Sequence, residues 1–271
     1  MSNNEYSAPA AACAAGMLRL LARVHRPQSL AAISRELKCT KSLAFRVVRE
    51  LEEAELVMKI GSDGYQLGLA ALELGAAVAL RSGHAESTRE ILRELAAEAN
   101  ATANIGVLRD FDVLFVLKQE APEFAVTVSH VGQRLPANCS ALGKMLLAQL
   151  ADDEIQKRAP ARLPRLTSKS NADLIKMMQE VREARDAGHA VDYESAILGR
   201  CAIAIPIRMP QLGGEVGALA LTASMDDFEQ RRDDLLACLI RSRAVIERGL
   251  VAREAIRDSM DQADVMEHGG N

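Results

Sequence analysis

The chain has 271 residues, 49% hydrophobic and 26% charged, a balance that fits about two globular domains and excludes disorder on a large scale. Aromatic residues make up only 3%, which argues against stacking platforms for single-stranded nucleic acid or sugars. The net charge of −4 is unevenly spread: residues 14–68 carry nine Lys/Arg against six Asp/Glu, and residues 69–271 carry 24 against 30, so a basic front precedes an acidic body.

The opening residues hold no basic region and no greasy run, and no apolar stretch approaches the length of a membrane span. A cytoplasmic location without a membrane partner is therefore expected. Five cysteines, far apart and without a C-x-x-C, suit reduced thiols.

Residues 1–13 are Ala-rich and read as a disordered tail. Met17, Leu20, Leu21 and Val24 then recur at helical spacing until Pro27. Ser29 caps a second helix with Leu30, Ile33 and Leu37 inward. Lys38-Cys39-Thr40 form a turn, and Thr40 caps a third helix with a stripe of Ala44, Val47, Val48 and Leu51. A strand over 56–60, the turn Gly61-Ser62-Asp63-Gly64 and a return strand over 65–67 complete a hairpin, with Asp63-Gly64 as its turn signal.

Three helices and a hairpin within residues 14–68 predict a winged helix-turn-helix. Lys41, Ser42, Phe45, Arg46 and Arg49 lie off the third helix's apolar stripe. Lys41, Ser42 and Arg46 fall in its first two turns, the part that enters a major groove. Lys and Arg neutralise phosphates, and Arg also grips a guanine edge. Lys59, at the hairpin base, would touch the DNA backbone. The alternative is a solvated basic face or a protein-interaction module.

Residues 69–79 form a nearly uncharged helix that must be buried, either against its copy in a second subunit or in an ordinary core. Residues 69–84 are thus a linker helix with a hinge at 81–84. An amphipathic helix over 86–100 opens the second domain. Strands follow over 103–108 and 113–117 around a turn at 109–112, then over 124–131, with a break at 132–136. A Ser-capped helix spans 140–150, and a charged helix spans 174–187 and ends at Gly188. Strands over 201–207 and 216–222, joined through Gly213-Gly214, close the sheet. A last helix from Asp226 to about Arg253 buries Leu235, Leu236, Leu239, Ile240, Ile246 and Leu250, and residues 254–271 read as a flexible tail. Helices flanking a mainly antiparallel sheet make residues 85–253 an α+β sensor-like domain.

Within it, Ser140 begins a helix, so the amides of Ala141, Leu142 and Gly143 would point outward as an anion cradle, with Gly143 permitting close approach. A plain capped helix is the alternative. Asp192 and Glu194 share a direction on an extended segment and would bind a ligand hydroxyl or acid, or else remain solvated loop charges. Cys201 and Ile203 share a strand face, as pocket lining or as core. Asn104 is polar in an apolar strand and would line a pocket or be a satisfied core amide. A thiol, imidazole and acid can be drawn from Cys139 or Cys201, His189 and Asp192, but no local signature surrounds either thiol, so no enzyme is expected. Histidine spacing gives no metal site, and nucleotide-cofactor fingerprints are absent, so no metal or cofactor is expected.

Four segments resemble the IclR-type (isocitrate lyase regulator) transcription factors. Arg134-Leu-Pro-Ala-Asn-Cys-Ser-Ala-Leu-Gly-Lys-Met-Leu-Leu-Ala148 is similar to that family's signature loop and helix. Residues 188–207 resemble its acidic block and following strand. Pro27 to Leu51 resembles its helix-turn-helix, and Tyr65-Gln66-Leu67-Gly68 its wing exit. Asn138 and Cys139 replace the family's usual His and Ala. The resemblance implies a GAF/PAS-like effector domain with Asn138, Cys139, Ser140 and the acidic block at the ligand. It also implies homodimers or tetramers on double-stranded operator DNA and a small organic acid or aromatic metabolite as effector. The function it implies is ligand-responsive control of catabolic genes; a metabolite-sensing interaction protein without DNA binding is the alternative.

Overall fold

The computed structural model describes residues 8–24, 26–81, 86–121, 129–209 and 215–268. The chain divides into two compact units, residues 1–81 and 82–271.

In the first unit, α1 spans Pro9–Arg23. Proline at a first helical position has its φ preset and loses no needed N–H, and the alanines after it are strong helix formers. The helix therefore starts earlier than the apolar spacing indicates, and Cys13, expected in a disordered tail, is buried. A short strand, β1 (Gln28–Ser29), leads into α2 (Leu30–Glu36), whose cap is Ser29 Oγ accepting from Ala32 N at 3.2 Å. Thr40 Oγ1 likewise accepts from Leu43 N at 3.3 Å and caps α3 (Lys41–Glu53). Met17, Ile33, Ala44 and Val48 form the centre of this unit's core.

Strands β2 (Val57–Ile60) and β3 (Gly64–Leu67) make the hairpin, and β1 pairs with the other edge of β3. Two residues are too few to show a period, which is why β1 escapes a sequence reading. The residue with positive φ in the turn is Gly61 (φ 62°), whereas Gly64 already belongs to β3; the Asp63-Gly64 signal is thus displaced. α4 (Ala70–Arg81) follows, and Leu72 and Leu74 on it are 70% and 60% exposed. Its expected burial is not met within a single chain.

The second unit opens with α5 (Glu86–Ala99), β4 (Thr102–Arg109) and β5 (Asp112–Gln119). The strand expected at 124–131 lies mostly outside the described residues. β6 (Arg134–Pro136) occupies the expected break; it is an edge strand, where proline is tolerated. A 3-10 turn (Ala137–Cys139), α6 (Ala141–Leu147), α7 (Asp152–Arg158) and α8 (Leu174–Ala187) come next. They are followed by β7 (Ala190–Tyr193), β8 (Arg200–Met209), β9 (Glu215–Ser224) and α9 (Met225–His268). The Gly213-Gly214 connection and most of the 81–84 hinge lie outside the described residues.

α9 kinks at Arg231, where φ is −128°, and it continues beyond residue 253 to His268, so the expected flexible tail is helical that far. No Gly or Pro interrupts 254–268, and the next residues are Gly269-Gly270. Leu235, Leu239 and Ile246 are buried as expected, Leu236 is partly buried, and Ile240 is 47% exposed. The Leu250 side chain lies outside the described residues.

The six strands form one antiparallel sheet in the order β6-β5-β4-β9-β8-β7. Its two faces carry different cores. Ile105, Ile203, Ile205 and Leu221 pack on one side against Leu92 and Leu95 of α5 and Phe228 and Leu235 of α9. Ala204, Ala218 and Ala220 face the other side, against Met145 and Leu146 of α6 and Met177 and Val181 of α8. Bulky branched residues on one face and alanines on the other leave room for a cavity on the α6 side.

Candidate functional site

On α3, burial of Ala44, Val47, Val48 and Leu51 turns the opposite stripe outward. Lys41, Ser42, Phe45, Arg46 and Arg49 are all exposed along it. Phe45 is an apolar exception in that stripe, half exposed to solvent. Lys59 is exposed on β2.

In the second unit, a cavity of about 430 Å³ lies on the α6 face of the sheet. Strand register builds its floor. Thr102 on β4 pairs with Thr222 on β9, Thr222 with Ala202 on β8, and Ala202 with Asp192 on β7, all four lining the cavity. The next row begins with Asn104 beside Ala220. Cys139, Ser140, Ala141 and Leu142 close the other side, and Phe115, Leu166 and Ile197 add apolar wall. Arg134 and Arg200 also line it. Arg134 is partnered by Asp110 at 3.2 Å.

The floor holds two side-chain oxygens in an unusual condition. Thr102 and Asn104 are 1% and 3% exposed, and among the described residues neither Thr102 Oγ1 nor Asn104 Oδ1 has a hydrogen-bond partner. Asn104 Nδ2 donates only a long bond, 3.4 Å, to Thr102 O. Leaving such groups unpaired costs about 1–3 kcal/mol each, so native proteins rarely do it without a use.

Asp192 is fixed from behind. Its Oδ2 accepts from Ser195 N at 3.1 Å, and Oδ1 lies 3.0 Å from Lys144 Nζ. Lys144 Nζ also pairs with Glu180 at 2.8 Å and donates to Val191 O at 3.4 Å. Burial alone would depress the Lys144 ammonium, but Asp192 and Glu180 outweigh it and hold the group above the usual lysine range.

Several expected site residues fall elsewhere. Asn138 is fully buried, and its Nδ2 donates to Pro164 O at 2.9 Å and Asn171 O at 3.0 Å, so it ties loops together behind the cavity. Gly143 does not line the cavity, and its amide donates to Ser140 Oγ at 3.0 Å, which removes it from any anion cradle. A Cβ there would come within 2.1 Å of Ala137 O; the close approach is the chain's own, not a ligand's. Glu194 does not share the direction of Asp192, because β7 ends at Tyr193 and Glu194 takes a left-handed φ of 58°. Its Oε1 accepts from Gly199 N at 2.7 Å and closes the loop. Ile203 packs in the α5/α9 core on the opposite sheet face.

Asn104, Cys139, Ser140, Ala141, Leu142, Asp192 and Cys201 all line the same cavity. Thr102, Thr222, Phe115 and Arg200 were not foreseen. A polar residue two positions before Asn104 was the available signal for Thr102.

Burial disfavours the thiolate at both cavity cysteines. Burial raises the Cys139 thiol, whose Sγ donates to Pro164 O at 3.5 Å. Burial pushes the Cys201 thiol up to about 11, and its Sγ contacts Met225 Sδ at 3.3 Å. His189 is half-buried, with Nδ1 3.2 Å from Ala187 O, and does not line the cavity. Among the described residues no cluster of His, Cys, Asp and Glu fits a metal ion, and no helix is long and apolar enough to cross a membrane.

With this geometry in hand, relatives place the chain. Residues 77–246 match the family described as bacterial transcriptional regulator IclR C-terminal. The chain is 30% identical to the HTH-type transcriptional regulator Rv1719 of Mycobacterium tuberculosis, over 84% of this chain and 86% of that one. Two crystal structures share the fold. One is a regulator of Silicibacter sp., with TM-score 0.80 and 20% identity over 89% of this chain and 96% of that one. The other is an IclR homologue of Microbacterium hydrocarbonoxydans complexed with 4-hydroxybenzoate, with TM-score 0.72 and 22% identity over 90% and 99%. The chain belongs to the IclR family of bacterial transcriptional regulators.

Proposed function

We propose that this regulator binds a small organic acid or aromatic metabolite in the cavity beneath α6, and reads double-stranded operator DNA with α3. The observation that carries the effector reading is the pair of unpartnered oxygens, Thr102 Oγ1 and Asn104 Oδ1, buried at the cavity floor. A ligand hydroxyl would donate to them. Asp192, paired with Lys144, adds a third acceptor on the same face. Arg134 and Arg200 supply positive charge in the lining for an acidic end. The cavity volume is in the range of small-molecule sites, and a relative of this fold holds an aromatic acid.

The first unit then works as a winged helix-turn-helix. Lys41, Ser42, Arg46 and Arg49 face the DNA, and Lys59 approaches the backbone from the hairpin. The protein acts in the cytoplasm as a homodimer or tetramer.

Thermal unfolding with a panel of hydroxylated aromatic and aliphatic acids tests the pocket. A ligand at about 100 times its dissociation constant stabilises by about 2.7 kcal/mol. Asn104→Leu and Thr102→Val are expected to weaken that response while leaving unliganded melting unchanged or raised, since each removes an unpaired buried oxygen. A full response in both variants would place the effector elsewhere.

A further inference from the structure

Cys13 on α1 and Cys39 in the turn between α2 and α3 are distant in sequence, yet their sulfurs lie 3.6 Å apart. Neither thiol has a part in the effector or DNA reading. A second contact shows how closely the helix meets the turn: a Cβ on Gly16, one helical turn beyond Cys13, would sit 3.0 Å from Leu37 Cδ2. The turn is held in place by Lys38 in a left-handed conformation (φ 51°) and by Ser34 Oγ donating to Cys39 O at 2.6 Å. Cys13 is buried and Cys39 is half-buried. A reagent from solvent therefore meets Cys39 first, with a second thiol already in contact behind it.

We propose that Cys13 and Cys39 form a redox modification site, a dithiol that a hydroperoxide converts into an intramolecular disulfide across the helix-turn-helix. In the first step the Cys39 sulfur attacks the peroxide oxygen. The O–O bond breaks, Cys39 becomes a sulfenic acid, and the alcohol, or water from hydrogen peroxide, departs with the thiol proton. In the second step the Cys13 sulfur attacks the Cys39 sulfur. The S–O bond breaks, the hydroxyl leaves as water with the Cys13 proton, and the S–S bond forms. The peroxide accepts two electrons and the thiol pair loses two. Burial pushes the Cys13 thiol up to about 11, which suits a protonated resolving partner rather than the point of first attack.

A disulfide requires its sulfurs about 2 Å apart, so oxidation draws Cys39 toward α1. The next residue, Thr40, caps α3, and Lys41 and Ser42 occupy the first turn behind that cap. Oxidation thus acts on the N-terminus of α3. The covalent step stands on the thiol geometry alone; its effect on DNA rests on the reading of α3 as the DNA-facing helix.

The test uses full-length reduced protein exposed to hydrogen peroxide, alkylated and digested with trypsin, which cuts between the two cysteines at Arg19, Arg23, Arg35 and Lys38. The expected product is a linked Cys13–Cys39 peptide pair that disappears on reduction, formed within one chain on non-reducing gels. Cys13→Ser should leave Cys39 as a sulfenic acid trapped by dimedone. Oxidised wild type is expected to bind the DNA upstream of its own gene about tenfold more weakly, the scale of one lost helix cap. Cys39→Ser should be indifferent to peroxide. Oxidation of Cys39 without a link to Cys13, or a link only between chains, overturns the site. A disulfide that leaves DNA affinity unchanged overturns its regulatory effect. Reduced protein that binds no DNA refutes the α3 reading instead, and the peptide map still decides the dithiol.

Discussion

Lys144 is stable as a buried cation only because two carboxylates meet it, Glu180 at 2.8 Å and Asp192 at 3.0 Å. Lys144→Met would leave Asp192 buried without its counter-charge. Glu180 is about a third exposed and can turn to water, but Asp192 is not. Removing one partner of a buried pair costs about 3–5 kcal/mol. Urea unfolding of Lys144→Met is expected to show a loss near 3 kcal/mol, reduced in the Lys144→Met/Asp192→Asn double variant. Additive losses would mean that the two groups are not coupled. Gly143 is a separate case, because its missing side chain is what lets Ala137 O approach. Backbone atoms cannot step aside as a flexible side chain does. Gly143→Ala should therefore cost about 1–3 kcal/mol, as overpacking does. An unchanged unfolding midpoint would contradict the contact.

At the level of elements, α3 was readable residue by residue. Its cap, its buried stripe and its exposed cationic stripe all follow from local spacing. That arrangement makes a clean prediction: Arg46→Ala leaves folding intact and weakens operator binding by about 1–3 kcal/mol. Fluorescence anisotropy at near-physiological salt checks it, and wild-type affinity in the variant would remove Arg46 from the DNA face. The cavity was readable only in part. Asn104 stands out as polar in an apolar strand, and Asp192 lies in a segment that resembles a family block. Thr222 and Ala202 join them through pairing between strands distant in the chain, which one-dimensional spacing does not record. Asn138 and Glu194 look alike as candidates in sequence, but their partners, Pro164, Asn171 and Gly199, are set by loops that have no periodic signature. Short edge strands such as β1 and β6 fail for the same reason.

The whole molecule poses a question that one chain cannot answer by itself. Leu69, Leu72, Leu74 and Val78 are 60–74% exposed along α4 and just before it, although few charged residues separate them. Burying an aliphatic side chain of this size contributes about 1.5–3 kcal/mol. Four together exceed what scattered surface leucines need, and an exposed apolar patch of this kind marks an interface. A second copy is the partner that also suits a regulator reading a two-fold operator, since a symmetric dimer presents two α3 helices. The single-chain exposure sharpens the test. Because Leu72 touches little within its own chain, Leu72→Glu should leave each chain folded and melting cooperatively. In an assembly, the same carboxylate would be buried without a partner, which is costly. Light scattering should therefore give a dimer or larger species for the wild type and a smaller, still folded species for the variant, with cooperative operator binding lost alongside. A wild-type protein that stays monomeric at micromolar concentration would refute the dimer and leave α4 facing some other surface.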